Sequence, residues 1–374
     1  MKILFLGKRF YTNRDAYAER FGRIYQLPYF WSKAGEEVQL WLFDYHSSES
    51  VVKVDGTLRI TTFPIVGFKA WGQLIGQCLF PGQFDVVIAS GDCYVGMAGW
   101  LVAQRNKAMF VFDIYDKYDE FGGYRRLLGF DPFHFLTKHA HIRTFASQAL
   151  PSIIGARPSA DYLIPNGVDT NQFRPLDRVM CRQNIGLSEG MIYAGYFGSM
   201  EVDRGVDDLV DAVRLLRAKG TKIQALLGGK NPPMRYLEDP AIHYLGDMPF
   251  GRMPEVVACA DVLVVPYRRS AAMDQGASCK IGEYIASGRP VVTTRTPNFL
   301  ANLPQQALDL GGAVCEPENP QDLARAIAIQ LTTPRYTRLP NGMDWKDISM
   351  KALARIQSQV SNRSNSEFVG NTNG

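Results

Sequence analysis

The sequence predicts an α/β protein of two domains, each a parallel sheet covered by helices, and three observations carry that reading. Short apolar runs rich in Val, Ile and Phe alternate with longer stretches of helical period, as strands joined by crossover helices do. The alternation is laid down twice, once on each side of "IPNGVDTNQFRP" at residues 164–175, where a Pro, an Asn-Gly turn and a second Pro interrupt it. The chain is also 374 residues long with 46 % hydrophobic content, more than one core accommodates, since single cores stop growing at roughly 250 to 300 residues.

In the first half, "KILFL", "EVQLWLF", "DVVIA", "AMFVF" and "IRTFA" read as strands. In the second, "MIYAGYF", "KIQALLG", "DVLVV" and "PVVTT" do, with helices near 205–219, 252–259, 278–287 and 320–332. These assignments place a first domain at 1–168 and a second at 169–343. A last segment, "DWKDISMKALARIQSQV" at 344–360, resumes helical spacing and is expected to pack back on the first domain. The polar, Ser/Asn/Gly-rich end, 361–374, reads as a disordered tail.

Composition excludes several classes. Lys plus Arg exceed Asp plus Glu by 41 to 37, a formal charge of +4, too mild for a dedicated nucleic-acid binder but suited to an anionic ligand or a membrane surface. The six cysteines are far apart, with no C-x-x-C pair and no histidine cluster of zinc-site spacing, and read as buried, reduced thiols. "MKILFLGKRF" is too short an apolar run for a secretory signal and no uncharged run reaches a membrane span, so the expected location is the cytoplasm. The first strand runs into "GKRFYTNRD" with no G-x-G-x-x-G, which argues against a dinucleotide-dependent oxidoreductase.

Four stretches of the second half point to an anion. Ligands of open parallel sheets bind beyond the carboxyl ends of the strands, where loops and helix N-termini converge. "GSMEVDRGVDDLVDAV" follows one strand and carries Gly198, Ser199, Arg204 and Gly205; "LGGK" follows another and ends in Gly229 and Lys230. "VPYRRSAAMDQGAS", with Gln275, follows a third, and "SCKIGEYIASGRPVVTT" opens a helix at Ser278. On that helix Ile281, Tyr284 and Ile285 recur at core spacing, which leaves Lys280 and Glu283 facing elsewhere. A solvated mid-helix glutamate is the plain alternative. The sharper reading is a diphosphate held by backbone N–H groups, Arg204 and Lys280, with the acceptor-only carboxylate of Glu283 clamping the vicinal hydroxyls of a ribose.

These residues resemble the glycosyltransferase family 4 enzymes. "IPNGVDTNQFRP" is similar to the family's P-N-G-V-D-x-x-x-F, "YFGSMEVDRGVDDLVDA" to its G-x-x-x-x-x-[KR]-G-[VI]-D, and "SCKIGEYIASGRPVV" to its K-x-x-E-x-x-A-x-G-x-P-V-V. The likeness extends more loosely to "AERFGRIYQLPYFWSKAGEEVQLW" in the first half. It implies a GT-B fold, two Rossmann-like domains with parallel sheets facing a central cleft, and transfer of a sugar from a nucleotide donor with retention of anomeric configuration. It further implies a donor site of Gly198, Ser199, Arg204, Gly205, Gly229, Lys230, Gln275, Lys280, Ile281 and Glu283, with Arg204 and Lys280 on the phosphates and Glu283 on the ribose.

Two positions depart from the family pattern. Ser199 stands where an arginine often follows the first glycine, and Gln275 where a glutamate often faces the transferred sugar. The first domain is expected to hold the acceptor, a glycan or lipid-linked molecule, with Asp113 and Asp116 of "FVFDIYDKYDEFGGYRR" as catalytic candidates where many relatives carry a histidine. The alternative for these acids is pairing with Lys117, Arg125 and Arg126. His134, His139 and His141 read as ordinary core or surface residues. No D-x-D metal motif occurs, and no cofactor is implied beyond the nucleotide sugar as co-substrate. "FPIVGFKAWGQLIGQCLFPGQF" and "GGYRRLLGFDPFHF" suit a membrane interface, the first equally a buried helix. A hexosyltransferase of surface polysaccharide or glycoconjugate assembly is thus the expectation; the alternatives are an epimerase of nucleotide sugars or a non-catalytic protein that binds them.

Overall fold

The computed structural model describes residues 1–11, 14–46, 49–65, 68–79, 82–126, 128–230 and 232–371. Contacts divide the chain into two units, Met1–Asn166 with Asp344–Gly374, and Gly167–Met343. The first break falls two residues before the boundary read from the sequence. Arg23 Nη1 donates to Asn166 Oδ1 (2.9 Å) in the first unit, while Val168 N donates to Met343 O (2.9 Å) in the second.

Among its described residues the first unit has strands β1 (Lys2–Lys8), β2 (Phe10–Tyr11), β3 (Arg14–Asp15), β4 (Glu37–Asp44), β5 (Val52–Asp55), β6 (Leu58–Pro64), β7 (Val86–Ser90), β8 (Met109–Ile114), β9 (Ile142–Phe145) and β10 (Asp161–Leu163). Strands β2 and β3 form a small antiparallel ribbon. The rest make one sheet in the order β10-β9-β8-β7-β1-β4-β6-β5, parallel throughout except for the hairpin β5–β6. Residues Ile3 to Leu6 of β1 are wholly buried. Helices cover both faces of such a sheet, so its central strands are continuous apolar runs. The exposed, charged edge strand β5 has no such signature, and the sequence reading missed it along with β6 and β10.

The helix Gly22–Lys33 packs against the C-terminal helix Trp345–Asn371, pinned where the buried Trp31 indole donates to Ser349 O (2.7 Å). That last helix continues through 361–371, which composition had assigned to a disordered tail; residues 372–374 lie outside the described residues. Helix Phe68–Leu79 occupies the middle of the aromatic stretch 63–84, whose residues 66, 67, 80 and 81 also lie outside them. Cysteines 78, 93, 181, 259 and 315 are buried and Cys279 half-buried, all as free thiols. Burial pushes the Cys78 thiol up to about 11.

The second unit has strands β11 (Ile192–Phe197), β12 (Ile223–Gly228), β13 (Ile242–Tyr244), β14 (Val262–Val265), β15 (Val291–Thr294) and β16 (Val314–Cys315). They form a wholly parallel sheet in the order β13-β12-β11-β14-β15-β16. From β11 the chain builds outward to β13, then crosses back to build β14 to β16 on the other side. The reversal of strand order thus falls between β11 and β14, the place where such sheets take a ligand. In the first unit the same reversal lies between β1 and β7.

One expectation for the first unit is corrected. Asp113, at the end of β8, is 1 % exposed and wholly engaged: it accepts from Arg23 Nε (2.9 Å) and Nη2 (2.7 Å), Ser90 Oγ (2.6 Å) and Thr144 Oγ1 (2.6 Å). Arg23, also 1 % exposed, donates through Nη1 to Ile164 O and Asn166 Oδ1. A carboxylate with four filled acceptor positions has none for a reacting group. Asp113 is a structural anchor tying β7, β8, β9 and the first helix together. Asp116 lies just past the strand end, half-buried, and accepts from Lys117 N (2.9 Å).

Removing one partner of a buried, hydrogen-bonded ion pair costs about 3 to 5 kcal/mol. Asp113→Ala is accordingly expected to lower stability by that amount in denaturant unfolding, and Arg23→Met by a similar amount. A full-length protein with unchanged unfolding midpoint in either variant would contradict the anchoring role.

Candidate active site of the second unit

The site is built where β11, β12 and β14 end. Phe197 leads directly into Gly198, held at φ 149°. A Cβ at Gly198 would lie 2.3 Å from Lys280 Nζ, so the lysine head rests against bare backbone. One loop over, Gly229 is also at φ 149°, and a Cβ there would lie 2.0 Å from Gly198 O. Gly205, at φ 65°, precedes the helix Val206–Ala218, and a Cβ on it would meet Pro266 O at 1.8 Å. Three loops thus approach one another across gaps that admit no side chain.

Two cations border this glycine-lined notch. Lys280, in the first turn of the helix Cys279–Ala286, lies over the Tyr196 ring at 5.3 Å and has no hydrogen bond or ion pair among the described residues. Arg204 lies over the Tyr267 ring at 5.4 Å and donates through Nη1 to Met273 Sδ (3.2 Å). Its Nε is buried with no hydrogen-bond partner, the nearest acids being Glu201 at 3.6 Å and Asp203 at 3.9 Å. Burial works to lower the Arg204 pKa, but Tyr267, Tyr196, Asp203 and Glu201 outweigh it and the value is raised. The guanidinium is therefore fixed, charged and short of an acceptor. A buried charged donor left in that state favours an incoming anion.

Tyr196 and Tyr267, which lie under the cations, and Tyr284 beside Phe197 were not singled out from the sequence. Tyr196 OH donates to Ser199 O (2.7 Å), Tyr284 OH accepts from Phe197 N (2.9 Å), and Tyr267 OH shares a hydrogen bond with Ser278 Oγ (3.1 Å). Burial holds the phenols of Tyr196 and Tyr284 well above their usual range, so they remain neutral. Also missed was the clasp joining the loops after β11 and β14: Arg268 binds Asp208 through Nε (2.7 Å) and Nη2 (2.6 Å), and Ser270 Oγ donates to Asp203 Oδ2 (3.2 Å). Asp208 is one acid among several in a helix start, and nothing local distinguishes the one that is buried.

The remaining expected residues divide. Gln275 ends the short helix Ala271–Gln275 next to Met273, and its Oε1 is buried without a partner. Glu283 is half-buried one turn beyond Lys280. Ser199 is half-buried in the loop after Gly198. Ile281 is only 5 % exposed and belongs to the core of the unit, so its side chain is no part of the notch. Lys230 is exposed beside Asp247 at 3.7 Å, outside the glycine contacts. Among the described residues no cluster of three or more His, Cys, Asp or Glu could hold a metal ion.

Residues 192–333 match the family described as glycosyl transferases group 1. A curated relative, the D-inositol 3-phosphate glycosyltransferase of Stackebrandtia nassauensis, is 27 % identical over 223 residues, 50 % of this chain and 48 % of that one. The match thus spans about half the length of each. Among solved structures, sucrose-phosphate synthase from Thermosynechococcus elongatus superposes with a TM-score of 0.74 at 16 % identity over 97 % of this chain and 100 % of that one. HepE of Anabaena in complex with UDP and glucose gives 0.65 at 17 % identity over 96 % and 100 %. The catalytic domain of starch synthase IV from Arabidopsis thaliana, bound to ADP and acarbose, gives 0.66 at 12 % over 98 % and 99 %. The fold is the GT-B fold, two Rossmann-like domains with parallel sheets.

Gly205→Ala places a methyl group inside van der Waals contact with a backbone carbonyl and forces a left-handed φ on a β-carbon-bearing residue. The expected loss is at least about 2 kcal/mol of stability, read from denaturant unfolding of the full chain. Gly220→Ala serves as control: it shares the positive φ and meets nothing within 4 Å, so only the smaller backbone penalty should remain.

Proposed function

We propose that the chain is a retaining glycosyltransferase of family 4 type, which takes a sugar from a nucleoside diphosphate donor bound in the second unit. The observation that carries this reading is the pair of under-coordinated cations, Lys280 against Gly198 and Arg204 with an orphaned Nε, beside three glycines that bring backbone close to the same notch. In this reading the diphosphate accepts from Arg204, Lys280 and the N–H groups of the loops after β11 and β12. Glu283, one helical turn from Lys280, accepts from the two ribose hydroxyls. The buried, unpaired Oε1 of Gln275 accepts from a hydroxyl of the transferred sugar.

Transfer forms a bond between an acceptor oxygen and the anomeric carbon and breaks the bond from that carbon to the β-phosphate oxygen. The proton of the acceptor hydroxyl goes to the leaving phosphate, on the same face, which retains the configuration without a protein nucleophile. Asp113 is excluded as a base by its filled hydrogen bonds, which supports this route. The protein's part is positioning and charge stabilisation at the diphosphate. With cations supplied by side chains, no metal is needed, and turnover should be unchanged by a chelator.

The acceptor in this proposal is a glycan or lipid-linked saccharide of surface polysaccharide or glycoconjugate assembly. Peripheral membrane contact draws support from the loop before the helix Pro132–His139: Arg125 and Arg126 are exposed there beside a fully exposed Leu128 and an exposed Phe130. No described helix is long and apolar enough to cross a membrane.

A panel of nucleotide sugars incubated with the purified chain and acceptor extract tests the reading. Free nucleoside diphosphate released only with acceptor is the expected result; an isomerised donor, or binding without turnover, would replace it with an epimerase or a binding protein. Arg204→Ala and Glu283→Ala should each lower kcat/KM by at least about 30-fold, equivalent to about 2 kcal/mol of lost charged hydrogen bonding. Wild-type turnover in both would remove the pocket assigned here.

A further inference from the structure

The glycine notch lies at the carboxyl ends of the second sheet; the amino ends of the same strands carry a separate group of cations. Arg289 stands at the unspecified position of the G-x-P-V-V pattern, between the helix Cys279–Ala286 and β15. It is half-buried and donates through Nη2 to Leu176 O (2.7 Å), while its Nε is buried with no hydrogen-bond partner. Gly288, at φ 70°, lets it pack on the segment that leads into the helix Arg178–Ile185: a Cβ there would lie 2.9 Å from Pro175 Cγ.

That helix adds Arg178 and Arg182, one turn apart, and both are held by Asp261, which stands just before β14. Asp261 accepts from Arg178 Nη1 on Oδ1, and from Arg182 Nη2 (2.6 Å) and Tyr193 N (2.7 Å) on Oδ2, so it has little left for Arg289. Arg182 is completed by Cys259 O (2.8 Å) and Met191 O (3.3 Å) and is a structural member. Arg178, its side chain 42 % exposed, has among the described residues only the bond to Asp261. The next acid, Asp177, caps the helix by accepting from Met180 N (2.9 Å), and Glu255 is paired with Arg252 (2.8 Å), so positive charge remains in excess. Burial, and after it the charge of Arg178, lower the Arg289 pKa; Asp261 and Cys181 oppose the fall and Arg182 adds to it. Arg289 is thus a cation crowded by like charge and short of an acceptor, which an incoming anion relieves.

We propose that Arg289 and Arg178 form a second anion site, remote from the glycine notch, which takes a small free phosphate-type oxyanion. A guanidinium presents several N–H donors in one plane, which suits the clustered oxygens of phosphate better than a halide. The orphaned donor is a buried atom, which a small dissolved anion reaches and a headgroup held in a bilayer does not. Nothing in the site depends on sugar transfer: its residues lie before β14 and β15, whereas Lys280 and Arg204 lie beyond the strand ends on the other side of the sheet.

Phosphorus NMR of inorganic phosphate titrated with the full chain tests this, the excess line width reporting bound anion. Phosphate also suits the notch, so the titration is repeated on the double variant Arg204→Ala with Lys280→Met. The expected result is that broadening persists in the double variant, resists an equal concentration of chloride, and falls at least about fivefold when Arg289→Met or Arg178→Met is added. Arg178 is part-exposed, and its removal leaves Asp261 bonded to Arg182 and Tyr193, so that variant keeps the test valid should Arg289→Met unfold. Broadening abolished by the double variant alone, or unchanged in folded Arg178→Met, would overturn the proposal. So would sedimentation of the chain with phosphatidic acid vesicles that requires Arg289, since the site would then belong to a lipid headgroup. No nucleotide or sugar is present in these titrations, and their outcome is independent of donor turnover.

Discussion

Close approach of backbone to backbone at the ends of β11, β12 and β14 is the constraint on which the rest of the second unit depends. Gly198, Gly205 and Gly229 each sit where a single added carbon would overlap a neighbouring atom by an ångström or more, two of the three overlaps being with carbonyl oxygens. Where those loops meet, the head of Lys280 rests against Gly198 and Arg204 stands next to Gly205 in the chain. The bidentate pair of Arg268 and Asp208 and the bond from Ser270 to Asp203 hold the loops in that position. Tyr196 and Tyr267 lie under the two cations, with their hydroxyls bonded to Ser199 O and Ser278 Oγ, and the Tyr284 hydroxyl accepts from Phe197 N.

The two units use buried charge in opposite ways. Arg23 and Asp113 are each only 1 % exposed, all three guanidinium nitrogens of Arg23 donate within the first unit, and both oxygens of Asp113 accept two bonds there. Such a pair is a structural member, costly to break and closed to ligands. Arg204 and Lys280 are held firmly but left incomplete, one with an orphaned Nε, the other packed on a ring and a glycine. In the proposed reading, incompleteness, more than charge or burial, separates a binding cation from a structural one.

A shared topology places all of this. Each sheet begins at a central strand, builds to one side, returns and builds to the other, and the strand ends at the return are where such sheets take ligands. Group 1 glycosyltransferase likeness over 192–333 and GT-B superposition over nearly the whole chain fit that plan. At 12 to 17 % identity to those structures, the fold is conserved in shape while most side chains differ, which is why the substrate of this chain has to be argued from its own residues.

The sequence alone determined what depends on local pattern. Alternating apolar runs specified two parallel sheets, because a strand covered on both faces must be apolar along its length, and glycines before helix starts specified where an anion could bind. It also marked Arg204, Lys280 and Glu283, whose spacing from those glycines survives in the chain order. The same local reading missed β2, β3, β5, β10, β13 and β16, which are short or exposed, and also β6, whose apolar run is broken by Arg59 and two threonines, and it misjudged 361–371 by composition where the helix in fact runs on. Only the tertiary structure decided the rest. Asp113 looked like a catalytic acid until Arg23, Ser90 and Thr144, from three distant points in the chain, were seen to fill it. Asp208 looked like an ordinary helix-start acid until Arg268 was found against it, and Ile281 like a site residue until its side chain was found in the core. Which polar atoms are satisfied is a property of partners brought together by folding, and a pattern along the chain does not contain it.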